Sequence, residues 1–346
     1  MGPGMATPPR VPIRIGNGAG FWGDNLDAPV LLARNGRLDV LTLEYLAELT
    51  LAILAHMRAK DARAGYITDF PELLGRLTPI LTEQKSLTIV TNAGGLNPPA
   101  CAAACSAILE DHGLGATAIG VALGDDLLPR IHGWVAEGLE LAHLETGEPI
   151  RAVLERLVSA NAYLGARPIA DALTQGARIV VTGRVADASL TVGPAAHAFG
   201  WSWDNWACLS GATVAGHLIE CGAQAPGGLW YHWEEVPDLA DVGYPIAELD
   251  ESGNSILTRP EGSGGLVSVP NVAEQLVYEI DDPARYHTPD VDVNLTTVEL
   301  TQDGPDRVAV RGASGASPSD TLKVAAVFRD GWTASGVLAV VGRDAE

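Results

Sequence analysis

Along most of its length the chain alternates short apolar runs with longer stretches in which apolar residues recur at helical spacing. Residues 11–15, 39–43, 64–67, 87–90, 116–122 and 177–181 are the short runs and read as strands. They are apolar throughout rather than at every second position, which predicts a mostly parallel sheet covered on both faces. Residues 45–59 place Leu46, Leu49, Ile53, Leu54 and Met57 at helical spacing, and 72–82, 99–112 and 127–141 read as further helices. Asp24 or Asn25 opens a short helix that Gly36 closes. Pro79 kinks or ends its helix, whereas Pro99 stands at a helix start, where no amide hydrogen is needed. Residues 150–175 predict a helix with a break near 165–168.

The pattern changes near residues 243–245. Residues 253–265, rich in Gly, Ser and Glu, predict a loop, and 266–269, 274–280, 291–300, 307–312 and 321–329 predict strands. Val291, Val293 and Leu295 alternate with Asp292, Asn294 and Thr296, the signature of an antiparallel sheet with one wet face. The predicted fold class is therefore α/β, a mostly parallel sheet flanked by helices, followed by a second, α+β domain containing antiparallel strands. The domains run from a loose stretch over 1–10, through an α/β ligand-binding domain over 11–240, to the α+β domain over 241–346. Residues 340–346 read as the first turn of a helix, consistent with either a natural terminus or a truncation of a longer parent.

Composition narrows the partners. With 22 basic and 43 acidic residues among 346, the formal charge is −21. Such a field repels nucleic acid and anionic membranes, so neither is an expected partner. An anionic small ligand stays compatible, because a few amides and one Arg reverse the potential inside a pocket. Cys101 and Cys105, four apart in an Ala-rich run, read as small apolar fillers, and Cys208 and Cys221 as buried thiols. No signal-peptide pattern or membrane-length apolar run occurs, and a cytoplasmic, reducing setting is expected.

Polar chemistry concentrates just after the predicted strands, where open α/β sheets bind ligands. The first such loop carries Asn17, Gly18, Gly20, Gly23 and Asp24, a literal GxGxxG with Glu44 near the end of the second strand. Bulky Phe21 and Trp22, with Asp24 and Asp27, oppose a nicotinamide or flavin site. A turn lining another pocket and a purely structural turn remain the alternatives. The second loop carries Asn92, Gly94, Gly95 and Asn97, either aiming amides at a ligand oxygen or tying the loop to itself. The third carries Arg184, Asp187 and Ser189: Arg184 offers a bidentate fork, Asp187 either pairs with it or acts as base, and Ser189 lacks a nucleophile-elbow frame. Asp24, Glu44 and Asp69 would suit a divalent metal if they converged, or one would serve as general acid. His217, in an apolar helical run over 211–220, reads first as a core or interface residue. The aromatic arm with Trp230, Tyr231 and Trp233 reads as an interface or a lid.

Residues 14–24, 43–50, 65–70, 91–98, 181–189 and 211–228 together resemble the acyclic terpene utilisation family, in the right order and over residues 11–340. The resemblance implies a role in bacterial degradation of branched or terpenoid acids as coenzyme A thioesters, by hydration or lyase steps. It also implies a small partner domain, in the same chain or beside it. It assigns no catalytic residues. The expected function is thus a lyase or hydratase of acyl-CoA catabolism without a redox cofactor, with Asp69, Asp187 and Arg184 as catalytic residues. Asn17, Asp24, Glu44, Asn92, Gly94, Gly95, Asn97 and Ser189 are the expected substrate-binding residues. The alternative is a non-catalytic ligand-binding or scaffolding subunit. A homo-oligomer is expected from Trp201, Trp203 and Trp206 beside the apolar run.

Overall fold

The computed structural model describes residues 11–339 and 341. The expected loose stretch over 1–10 and the expected turn over 340–346 (Val341 apart) lie outside the described residues. In chain order the first elements are β1 (Ile13–Asn17), α1 (Ala28–Asn35), β2 (Val40–Leu43), α2 (Glu48–Lys60), α3 (Asp69–Glu83), β3 (Thr88–Thr91) and α4 (Pro98–Asp111). Then come β4 (Ile119–Ala122), α5 (Leu128–Ala136), β5 (Leu157–Ala162), α6 (Arg167–Thr174), β6 (Ile179–Thr182), α7 (Ser189–Phe199) and α8 (Trp206–Ile219). The remainder comprises β7 (Ile246–Leu249), β8 (Ser255–Thr258), α9 (Val269–Val277), β9 (Tyr286–His287), β10 (Asp292–Asn294), β11 (Glu299–Gly304), β12 (Arg307–Arg311), β13 (Ser314–Ala316) and β14 (Val324–Phe328).

A nine-stranded sheet in the order β11-β12-β8-β7-β1-β2-β3-β6-β4 organises the fold. From β1 to β4 its neighbours are parallel, and from β1 through β7 to β11 they are antiparallel. The α/β class expected from the uninterrupted apolar runs is what the chain adopts, and small antiparallel sheets (β13-β10-β9 and β14-β5) complete it. Successive strand residues feed opposite faces. Val40, Val90 and Val180 pack with α6, α7, α8 and α9, whereas Leu41, Ile89, Ile179 and Val181 pack with α1 to α4. Burial on both faces keeps charged residues out of β2, β3 and β6, whose polar side chains are all threonines, so the strongly polar groups collect at their ends.

Several local expectations are corrected. Residues 64–67 are not a strand but a loop held to the next one, with Ile67 N–H donating to Ala93 O (2.8 Å) and Leu96 N–H to Gly65 O (2.8 Å). Residues 150–162 are two 3₁₀ turns and β5 rather than helix, because Ala160 and Asn161 pair with β14 across a long sequence gap. The strands predicted at 266–269 and 274–280 are not formed: 266–268 and 278–280 are neither helix nor strand, and between them runs α9, which Pro270 enters at its first turn and a Ser268–Asn271 capping box starts. Within the predicted loop 253–265, β8 pairs with β7 and β12. The helix predicted over 127–141 ends at Ala136, and α2 starts at Glu48, leaving Tyr45 and Leu46 in the turn after β2.

Candidate functional site

Two adjoining cavities, of about 560 and 430 Å³, open at the carboxyl ends of β2 and β6. They share Leu46, Ala47, Asp187, Glu220 and Glu279 as a dividing wall. The first is otherwise lined by groups such as Tyr163, Arg184, His217, Tyr286 and Lys323, and the second by Asp24, Glu44, Tyr45, Cys221 and Tyr244.

The β6–α7 segment brings Arg184 and Asp187 to this wall. Asp125 accepts from Arg184 N–H (2.9 Å) and from Asn161 Nδ2 (2.8 Å), which fixes the backbone after β6. The Arg184 side chain is 1% exposed; it donates to Leu46 O and to the Asp187 carboxylate, and stacks 4.2 Å from the Tyr163 ring centre. Asp187 is enclosed by protein yet keeps 37% of its side chain open to the cavity. Its carboxyl is raised above the ordinary carboxylate range by burial, against the pull of Arg184. Glu44 is raised well above that range by burial and by the Asp187 charge.

From the other side, α8 delivers His217 and, at its end, Glu220. His217 Nδ1 lies 3.2 Å from Glu220 Oε1, and Tyr286 packs on the imidazole at 5.5 Å between ring centres. Burial pushes Glu220 up to about 7 despite the His217 contact. Burial alone would lower His217; its hydrogen bond to Glu220 and the nearby carbonyls of Leu276 and Gln275 raise it instead. The pair therefore holds a proton into the neutral range. At the rim, Tyr163 Oη donates to Glu48 (2.6 Å) and Lys323 Nζ lies 3.2 Å from the same oxygen. Burial pushes against ionisation of Glu48, but the Tyr163 and Lys323 contacts hold it down to about 2.

Buried polar atoms without partners mark this cleft. Tyr45 Oη, Arg184 Nε, Glu220 Oε2 and Gln224 Oε1 are all buried with no hydrogen-bond partner, and each belongs to a lining residue. Native proteins rarely leave such groups empty-handed. The family model for acyclic terpene utilisation family protein AtuA matches residues 13–346, nearly the whole chain.

The chain belongs to the acyclic terpene utilisation family. Membership gives it a role in acyclic terpene utilisation. No curated protein and no solved structure matches it significantly.

In this AtuA-family chain the residues expected at the site separate into two groups. Asp24, Glu44, Arg184 and Asp187 line the cleft. Asp24 accepts from Tyr244 Oη at 2.5 Å and from Gly20 N–H at 3.0 Å. The others are elsewhere or behind it. Asn92 supports Glu44 from below, donating to its Oε2 (2.5 Å) and accepting from Tyr45 N–H (2.9 Å). Asn97 caps α4 and donates to Ala62 O and Ala64 O. Gly94 packs on Thr182 O and Pro98, and Gly95 on Leu54 and Gly65 O, so their backbone is covered by protein. Ser189 donates to buried Asp290 (2.7 Å). Asp69 starts α3 and lines neither cavity.

Asn17 is buried and lines neither cavity. Its Nδ2 reaches Ala19 O (2.8 Å), Ile219 O (2.9 Å) and Glu220 O (2.9 Å), tying β1 to the end of α8. Gly20 lies so close to the Cys221 backbone that a Cβ would sit 2.7 Å from its carbonyl carbon. Gly20 is thus part of the seat of residues 219–222, whereas Gly18 packs on Pro29 and Leu41. Among the described residues no group of three or more His, Cys, Asp and Glu is placed to hold a metal ion. No described helix is long and apolar enough to cross a membrane. The apolar run of α8, including Gly211 to Ile219, is buried within this chain, and Trp201, Trp203 and Trp206 pack against the same core.

Sequence reasoning missed Glu220, Tyr163, Tyr286 and Lys323 and ranked His217 as core. A charged residue three positions after a histidine, at the end of an otherwise apolar helix, was the available signal for the His217–Glu220 pair.

Proposed function

We propose that the chain is a lyase or hydratase acting on a branched acyl thioester such as an acyl-CoA, with Asp187 as base. The observation that carries this reading is Asp187 itself: a cavity-facing carboxylate held by a buried Arg184 at the wall between two pockets. Removal of a proton next to a thioester carbonyl needs a positioned base and positive charge near the developing enolate. Arg184 beneath the floor and Lys323 at the rim supply that charge, and the Arg184 ion pair orients Asp187. Asp24 and Tyr244 offer polar contacts to the rest of the ligand.

The test is turnover of 3-hydroxyacyl and unsaturated acyl thioesters, followed by the absorbance of the conjugated enoyl product. Wild-type protein should interconvert them, and Asp187→Asn should bind the thioester but lose conversion. Full activity in Asp187→Asn, or no conversion of any such thioester by the wild type, overturns the reading. Trp332 and Val337 are fully exposed beyond β14 and Leu338 nearly so, which favours a second reading. In that reading the chain is a ligand-binding subunit completed by a partner domain, and turnover appears only when that domain is added.

A further inference from the structure

We propose that Glu220 is a catalytic residue of the cleft, the acid that works opposite the Asp187 base, with His217 and Asn17 as its positioning residues. The inference rests on the lyase or hydratase reading above and assigns the second proton that such a reaction requires.

Geometry makes the case. Glu220 and Asp187 stand on the same wall and line both cavities, so a ligand bridging the two pockets passes between carboxyls from different elements. Only one Glu220 oxygen is engaged, Oε1 with His217 Nδ1 at 3.2 Å, while Oε2 is buried with no partner. A carboxyl oxygen left bare inside a protein costs stability, less when the group is neutral than when it is charged, and meeting a ligand relieves that cost. The residue is also held firmly. Its N–H donates to Gly216 O (2.9 Å) and its carbonyl accepts from Asn17 Nδ2 (2.9 Å). Its charged and titratable surroundings come from every side. They are His217 on α8, Asp187 and Arg184 after β6, Glu44 after β2, Cys221 in the following turn, Glu279 after α9, and Tyr286 on β9. With several carboxyls around one cation, proton retention by one of them relieves like-charge repulsion. His217, donating or accepting at Oε1, leaves Oε2 as the oxygen that delivers the proton.

In the dehydration direction the Asp187 carboxylate takes the proton from the carbon next to the thioester carbonyl. The electrons of that C–H bond form the C=C bond, and the C–O bond breaks with its pair on oxygen. The departing hydroxyl takes the Glu220 proton and leaves as water. The proton now on Asp187 returns to Glu220 through solvent, so the net change is hydroxyacyl thioester to enoyl thioester plus water. Hydration runs the same steps backwards.

The experiment is the pH profile of kcat and KM for 3-hydroxyacyl thioester dehydration in wild type, Glu220→Gln and His217→Gln. Glu220→Gln should lower kcat by about 10²–10⁴-fold, the usual contribution of a general acid, with little change in KM. His217→Gln should keep measurable kcat but move the alkaline limb of the profile to higher pH, because the His217 contact holds the Glu220 carboxyl down, a change that loss of folding alone does not produce. Wild-type turnover that Asp187→Asn abolishes but Glu220→Gln leaves intact overturns this inference and spares the reaction reading. An alkaline limb unmoved in His217→Gln overturns the positioning role. Absence of wild-type turnover overturns both.

Discussion

The loop over residues 92–97 and the segments around Asp187 and Glu220 lie at the same end of the same sheet, yet they differ in what their polar groups have left to give. Asn92 is committed to Glu44 and Tyr45, Asn97 to a helix cap and two carbonyls, and Gly94 and Gly95 to close packing. Around the shared wall the commitments are incomplete. Asp187 is tied to Arg184 but faces open volume, and Glu220 keeps one buried oxygen without a partner. Position at a strand end is therefore not enough to make a site. A ligand site needs capacity that the fold has not used.

This difference breaks or stands on a graded set of variants. The largest effect is expected at Asp187→Asn, a loss of about 10²–10⁴-fold in kcat, with unfolding curves run beside the kinetics so that the loss is read on folded protein. The next is a pH effect on stability. The Glu220 carboxyl, ordinarily at 4.5, is raised to about 7 by burial, so folding favours its protonated form. That stabilisation is complete below pH 4.5, is lost as pH rises through about 7, and is absent from a neutral amide. Urea unfolding should therefore show Glu220→Gln gaining on the wild type between pH 5 and pH 8, and a variant that falls further behind the wild type as pH rises would contradict it.

On the other side of the comparison, substitutions should cost stability rather than chemistry. Asn92→Ala leaves Glu44 Oε2 and the Tyr45 N–H without partners, while Glu44 Oε1 still accepts from Leu46 N–H, and about 1–3 kcal/mol of unfolding free energy should be lost for each buried group left bare. Gly94→Ala puts a Cβ 2.4 Å from Thr182 O, and overpacking of this kind costs about 1–3 kcal/mol in the same measurement. Ser189→Ala removes one hydrogen bond to Asp290, which still accepts from Ala166 N–H, so about 1 kcal/mol is expected. If any of these lowered kcat without lowering stability, the division between the two regions would be wrong.

Much of the fold is legible in the sequence because β2, β3 and β6 are buried on both faces and so read as runs of aliphatic residues and threonine with no charge among them. Where a neighbour remote in sequence decides the outcome, legibility ends. Residues 157–162 become a strand only because residues 324–328 lie beside them. Val269, Val272 and Val277 look like strand residues, yet the Ser268–Asn271 box and Pro270 set a helix. The site divides in the same manner. Asp187, Arg184, Glu44 and Asp24 follow strands directly and are readable from local pattern. Glu220, Tyr286 and Lys323 reach the cleft from α8, β9 and the approach to β14, and no local pattern reports that convergence.

The most direct test of the central claim, that the wall at Asp187 and Glu220 is where ligand binds, is backbone NMR with a non-reactive acyl thioester analogue. Amide shifts should move at Ala186, Asp187, Glu220 and Tyr286 and stay still at Gly94, Gly95 and Asn97. Shifts confined to residues 92–97, with the Asp187 and Glu220 amides unmoved at saturating ligand, would contradict it.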